Sequence, residues 1–185
     1  MFQFPPIPSW DALHPMIIHF PIALLLIAPV FILLGAVLKP AKGHPYLIAA
    51  MGLLLLGTAG TFLAIATGEA AGELAERLPG VRGVLETHEA MAERTRAVFS
   101  VLSVIFLALL AVPHWLQRAD NRLTATVLPL AFLILYSAGI LLLVNTAHNG
   151  GRLVHEFGVR AMVSAPAADT NAALPAESQE GQEKD

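Results

Sequence analysis

The chain has 185 residues and a formal net charge of −3, with hydrophobic residues at 56%, charged residues at 14% and no cysteine. An ordinary soluble domain is about 45–50% apolar and about 25% charged, so this composition, with a mean hydropathy of +0.66, belongs to a membrane protein. The missing cysteines exclude disulfides, iron–sulfur clusters, thiolate metal sites and covalently attached c-type haem. The absence of a basic run excludes a nucleic-acid partner.

The opening segment, MFQFPPIPSWDALHP, has no basic n-region and no small-residue cleavage site, so the first apolar run reads as a retained span. That run, about 16–38, begins inside LHPMIIHFPIAL, where His14, His19, Pro15 and Pro21 crowd the mouth of a helix about to enter lipid. Pro21 has no N–H to give the carbonyl of Ile17, which predicts a loosened first turn. A short turn, KPAKGHPY (39–46), leads to a second span at about 47–67. Its small residues Gly60, Ala64, Gly68 and Gly72 stand four apart and make a groove along one side. Such a groove admits either a neighbouring helix or a flat ligand, helix packing being the commoner use.

GEAAGELAERL continues the second span as a helix, PGVRG (79–83) turns, and VLETHEAMAERTRAVF reads as a helix feeding the third span at about 97–116. Val84, Leu85, Met91, Val98 and Phe99 form its apolar stripe, Glu86, Glu89, Glu93 and Arg96 the opposite one, and His88 falls on the apolar side, facing the bundle. After the turn 114–124 comes the fourth span, about 127–147, whose continuation carries Asn145, His148, Arg152 and His155 on one stripe. Ionisable groups in membrane helices are costly and usually face the bundle interior, so this stripe is expected to point inward. Residues 164–185 are acidic, lack aromatics and read as a disordered tail beyond a transmembrane domain of residues 1–163. The expected fold is all-α, a four-transmembrane-helix antiparallel bundle, each run being long enough for a hydrocarbon core of about 30 Å.

Alternating spans place five of the seven histidines, His14, His19, His88, His148 and His155, on the membrane face that holds the termini. Only His44 and His114 lie in the opposite turns. Imidazoles from several helices at one depth suit a bis-histidine b-type haem or a multi-histidine metal centre, because histidine ligates as the neutral ring. For haem, His19 and His88 are the expected axial pair, with His14 and His148 as a second pair and Arg152 for the propionates. The alternative is a copper, zinc or iron ion held by histidine and carboxylate, for which His14, Glu69, His148 and His155 are available. A third reading makes the chain an accessory subunit whose histidines only knit helix ends together. No nucleophile–base pair, phosphate loop or paired catalytic carboxylate stands out, so the chain reads as an electron carrier or subunit of a redox complex, not an enzyme.

Lys39, Lys42, Arg118 and Arg122 in the two short turns face a single acid, Asp120, whereas the more numerous arginines of the terminal side are interleaved with glutamates; the expected orientation puts the short turns in the cytoplasm and both termini outside. LHPMIIHFPIALLL, the TGE closing the second span, the histidine before the third and GGRLVHEFGV after the fourth resemble a bacterial membrane domain catalogued as domain of unknown function 2231. The likeness covers about residues 13–160 and implies four transmembrane helices in a bacterial inner membrane. Its relatives sometimes lie beside or fused to c-type cytochrome modules, which implies redox work and a redox partner of that kind; a homo-oligomer is also compatible. Where that family commonly reads LVYxHGV, this chain has His155 at the tyrosine position and Phe157 at the histidine position.

Overall fold

The computed structural model describes residues 7–116 and 121–160. The expected acidic tail and part of the second turn lie outside those residues. Four helices are long and apolar enough to cross a membrane: α1 (Asp11–Val37), α2 (Pro40–Ala75), α3 (Arg82–Trp115) and α4 (Leu123–His155). No strand occurs among the described residues. Each helix packs against the one before and after it, and α4 closes the ring on α1, so α1 and α3 stand at opposite corners.

Proline shapes the helix ends. α1 opens as a 3-10 turn at Asp11–Leu13, runs as α-helix over His14–Ile17, breaks at Ile18 and resumes over His19–Val37. The break lies where Pro21 withholds its N–H, as the sequence predicts. α4 opens as a π turn over Leu123–Val127, just upstream of Pro129, which has no N–H for the carbonyl of Ala125. At 36 residues α2 is about 54 Å long, well beyond a hydrocarbon core of about 30 Å. α2 and α3 therefore continue past the membrane on the face of the termini, as the helical reading of 68–96 requires. Their connection turns at Gly80, whose φ of 76° lies in the left-handed region.

Leu25, Ile32, Leu54, Phe99, Phe106, Phe132 and Tyr136 form the core. Phe106 stacks on Phe132 at 4.8 Å between ring centroids, and Tyr136 meets Phe99 edge-on at 5.5 Å. The outward positions are apolar too: Val30, Leu56, Val104, Ile134 and Leu141 are all exposed, as lipid-facing residues must be. Since lipid is as apolar as the core, close approach and hydrogen bonds hold the helices together. At the closed end of the α1–α2 hairpin a Cβ on Gly43 would collide with the carbonyl of Gly35. Thr58 of α2 meets Ser103 of α3 at 2.9 Å. The Tyr136 hydroxyl donates to the carbonyl of Leu25 at 2.8 Å, joining α4 to α1. That carbonyl needs an outside donor because the residue four further on is Pro29.

Beyond the membrane a second small core of Ala75, Val81, Leu85 and Leu153 covers the α2–α3 turn, with Phe157 packed against it. Phe157, at the position where the resemblance leads one to expect histidine, thus has a structural place of its own.

Candidate functional site

Two histidines on the face of the termini are anchored in the same way. His14 reaches from α1 to α2, where its Nδ1 lies 2.9 Å from the carbonyl oxygen of Ala64. His88 reaches from α3 to α4, where its Nδ1 lies 3.0 Å from the carbonyl oxygen of Thr146. A carbonyl only accepts, so in both rings Nδ1 carries the proton and donates. Each ring then lies against the glycine four residues beyond its acceptor. The Cβ of an alanine at Gly68 would sit 2.9 Å from His14 Cε1, and one at Gly150 would sit 3.0 Å from His88 Cε1. Glycine at these two positions is what lets an imidazole come up against the backbone. The hairpins α1–α2 and α3–α4 are thus equivalent halves, each closed by a histidine on its first helix docked on a small-residue seat of its second.

Hydroxyls fix both seats. Thr67 Oγ1 lies 3.2 Å from His14 Nδ1 and itself donates to the carbonyls of Leu63 and Ala64. Thr146 Oγ1 pairs with Thr95 Oγ1 at 2.8 Å across the α3–α4 seam, and Asn149 reaches Met91 Sδ at 3.4 Å. Trp10 adds a hydrogen bond to the carbonyl of Ala66 at 3.1 Å beside the first seat.

With Nδ1 committed, the remaining lone pair of each neutral ring is on Nε2. Neither Nε2 has a hydrogen-bond partner among the described residues. No buried side-chain nitrogen or oxygen of those residues lacks a partner, so both Nε2 atoms are reachable from outside. The two rings belong to helices at opposite corners of the bundle. The arrangement is one in which a histidine donates one ring N–H to a backbone carbonyl and offers the other nitrogen as ligand.

The other expected residues lie elsewhere. His19 is exposed on the outer side of α1, so the structure does not bring it to His88. The stripe of Asn145, His148 and His155 on α4 is exposed rather than turned inward, with Arg152 half-buried at its edge. The inward row of that helix is Leu143, Thr146, Asn149 and Leu153, one residue or about 100° away. Arg152 is engaged by Glu156 in a two-pronged pair with contacts of 2.9 Å and 3.1 Å. Its hydrogen bonds hold the Glu156 carboxyl below the usual carboxylate range. Glu69 and Glu73 are exposed on α2. The small-residue groove of α2 is filled by the chain itself: Pro21 lies on Gly60, the His14 ring on Gly68, and Glu89 Oε1 within 2.8 Å of where a Cβ of Gly72 would stand. Arg96 stacks over Phe62 at 5.2 Å. Among the described residues no group of three or more His, Asp or Glu side chains is arranged to hold a metal ion.

The sequence does not reveal the seats, Thr67 with Gly68 and Thr146 with Gly150; Gly68 stands out only as one of the small residues of the α2 groove. Residues 10–162 match the model of a family described as a predicted membrane protein, DUF2231. No curated protein and no solved structure matches the chain.

Proposed function

This chain belongs to the DUF2231 family of predicted membrane proteins, and from its paired imidazoles we propose that it holds a b-type haem and serves in electron transfer. The observation that carries the reading is that His14 and His88 both spend Nδ1 on a carbonyl and keep Nε2 free, on opposite corners of the bundle. A donor set of two imidazoles fits an axial pair and falls short of the three or four ligands that a bare first-row ion takes. The axial pair proposed is therefore His14 with His88; His19 and His148 have no part in it. Haem, when bound, supplies one-electron exchange. The protein's part is to fix both rings in one tautomer and orientation through the carbonyls of Ala64 and Thr146. Because the α2 groove is filled, the space for a macrocycle belongs on the Nε2 side of the rings. Arg94 and Arg96 are the cations proposed for the propionates, Arg152 being engaged by Glu156.

The orientation follows the positive charge of the short turns, with termini and site on the extracytoplasmic side of a bacterial plasma membrane. A c-type cytochrome reaching that face is the partner this reading requires.

A second reading draws on the seating of the rings: histidines lying directly on Gly68 and Gly150 also serve as interhelical clamps. One experiment separates the two. Protein purified in detergent from cells supplied with a haem precursor should show a Soret band and sharp reduced α and β bands. His14→Ala and His88→Ala should each abolish them, while His19→Ala and His44→Ala should not. Clamps alone predict a loss of about 1–3 kcal/mol of stability in the first two variants and a colourless wild type. A colourless wild type carrying stoichiometric copper or zinc would return the metal-ion reading.

A further inference from the structure

His44 and His114 play no part in the site above, and the structure gives them one setting. At the opposite face α2 and α3 flank a groove of about 310 Å³, walled by Ile48, Leu107, Leu110 and Ala111, with both histidines lining it. His44 and Leu110 also border a smaller cavity of about 30 Å³ at the bundle end, where Gly35 of α1, Pro113 of α3 and Ala125 of α4 converge. Ile48 and Leu107 are exposed and lie within the apolar spans, so the lower part of the groove opens sideways toward acyl chains. His44 and His114 lie at the span ends, at headgroup level. The shape is amphipathic along the membrane normal, apolar below and hydrogen-bonding above.

Charge decides among ligands of that shape. Lys39 and Lys42 flank Pro40 at the start of α2, Arg122 precedes α4, and all three are exposed. Among the described residues 37–46, 112–116 and 121–126 there is no Asp or Glu. A phosphate with a net negative headgroup finds imidazole N–H donors in the groove and three cations at the same end of the bundle. The ammonium of a zwitterionic headgroup finds no counter-charge among those described residues, and the three cations outnumber the one acid of the turns, Asp120. Basic pockets between membrane helices on the cytoplasmic side, where the orientation proposed above puts this end of the bundle, recognise anionic headgroups in this way. We infer that the α2–α3 groove binds one anionic phospholipid, its phosphate at His44 and His114 and an acyl chain along Ile48 and Leu107.

The test uses the two tryptophans, one near each face. Trp10→Phe leaves Trp115, next to His114, as the only one. The protein is placed in phosphatidylcholine vesicles containing a small fraction of either brominated phosphatidylglycerol or brominated phosphatidylcholine, and quenching of Trp115 is compared. The glycerol lipid should quench about fivefold more effectively per molecule, the preference expected from one well-placed basic contact. His44→Gln with His114→Gln should bring it down to the choline value. If that variant fails to fold, as its melting temperature will show, Lys39→Gln with Lys42→Gln carries the same comparison. An excess of inorganic phosphate should leave the preference intact. Equal quenching by both lipids, or a preference untouched by both pairs of substitutions, overturns the proposal. Full relief by inorganic phosphate overturns the lipid as occupant and makes the site one for free phosphate.

Discussion

Tyr136→Phe removes one hydroxyl whose work can be isolated. The hydroxyl donates to the Leu25 carbonyl at 2.8 Å from a fully buried position, and Pro29 denies that carbonyl its own helical donor. Removing the hydroxyl therefore leaves a buried acceptor unserved, which costs about 1–3 kcal/mol in proteins generally. Hydrogen bonds between membrane helices average nearer 0.6 kcal/mol, with a maximum of about 1.7. The missing helical donor places this one near the top of that range, so we expect about 1–2 kcal/mol. Pro29→Ala supplies an N–H four residues after Leu25, in the place where an α-helix requires it. In the Pro29→Ala background Tyr136→Phe should then cost under about 0.5 kcal/mol, a coupling of about 1 kcal/mol. Reversible unfolding in mixed detergent micelles, followed by helical circular dichroism for the four proteins of the cycle, measures this. An equal cost of Tyr136→Phe in both backgrounds would refute the claim that the proline creates the need for the tyrosine.

Gly150→Ala puts a Cβ 3.0 Å from His88 Cε1 and should destabilise by about 1–3 kcal/mol through overpacking; in haem-loaded protein it should also weaken the reduced α band. Gly151→Ala, where a Cβ meets nothing within 4 Å, is its control and should leave both unchanged. The Glu156 carboxyl, held low by Arg152, steadies the end of α4 above the unfolded carboxyl pKa of about 4.3, and that support is lost as pH falls through the lower folded value. The protection factors of the last-turn amides, taken against the intrinsic exchange rate at each pH, should fall on acidification in the wild type and lose this dependence in Arg152→Gln. Reporter fusions after Lys42 should be active only as cytoplasmic reporters, and fusions within the Gly80 turn only as periplasmic ones; the reverse would invert the proposed orientation. Ser103→Ala should cost less than about 1 kcal/mol by thermal melting, because Thr58 retains the carbonyl of Phe99 at 3.4 Å.

Much of the architecture was legible because lipid demands long apolar runs, and four such runs with short turns leave little choice. The inward turn of His88 was legible too, since Val84, Leu85 and Met91 set a face against the charged residues of the same helix. The facing of α1 was not. That helix is apolar all round, so its sequence has no phase, and contacts such as Pro21 on Gly60 decide that His14 turns in and His19 out. The α4 stripe misled for another reason. By His148 the helix has left the hydrocarbon, where the cost of exposing charge disappears, and its polar row turns to water while Thr146 and Asn149 serve the bundle. The seats for the two rings lay hidden because a carbonyl acceptor has no residue type.

Each imidazole bonds within its own hairpin, while the two hairpins meet along a seam held by Thr58 with Ser103, Tyr136 with Leu25 and the core that all four helices share. A slight shear along that seam would change the gap between the two Nε2 atoms and leave both clamps unbroken. The haem proposed to bridge those atoms would bolt one hairpin to the other, and its binding should be felt as lost sliding of one hairpin on the other, with no helix gained.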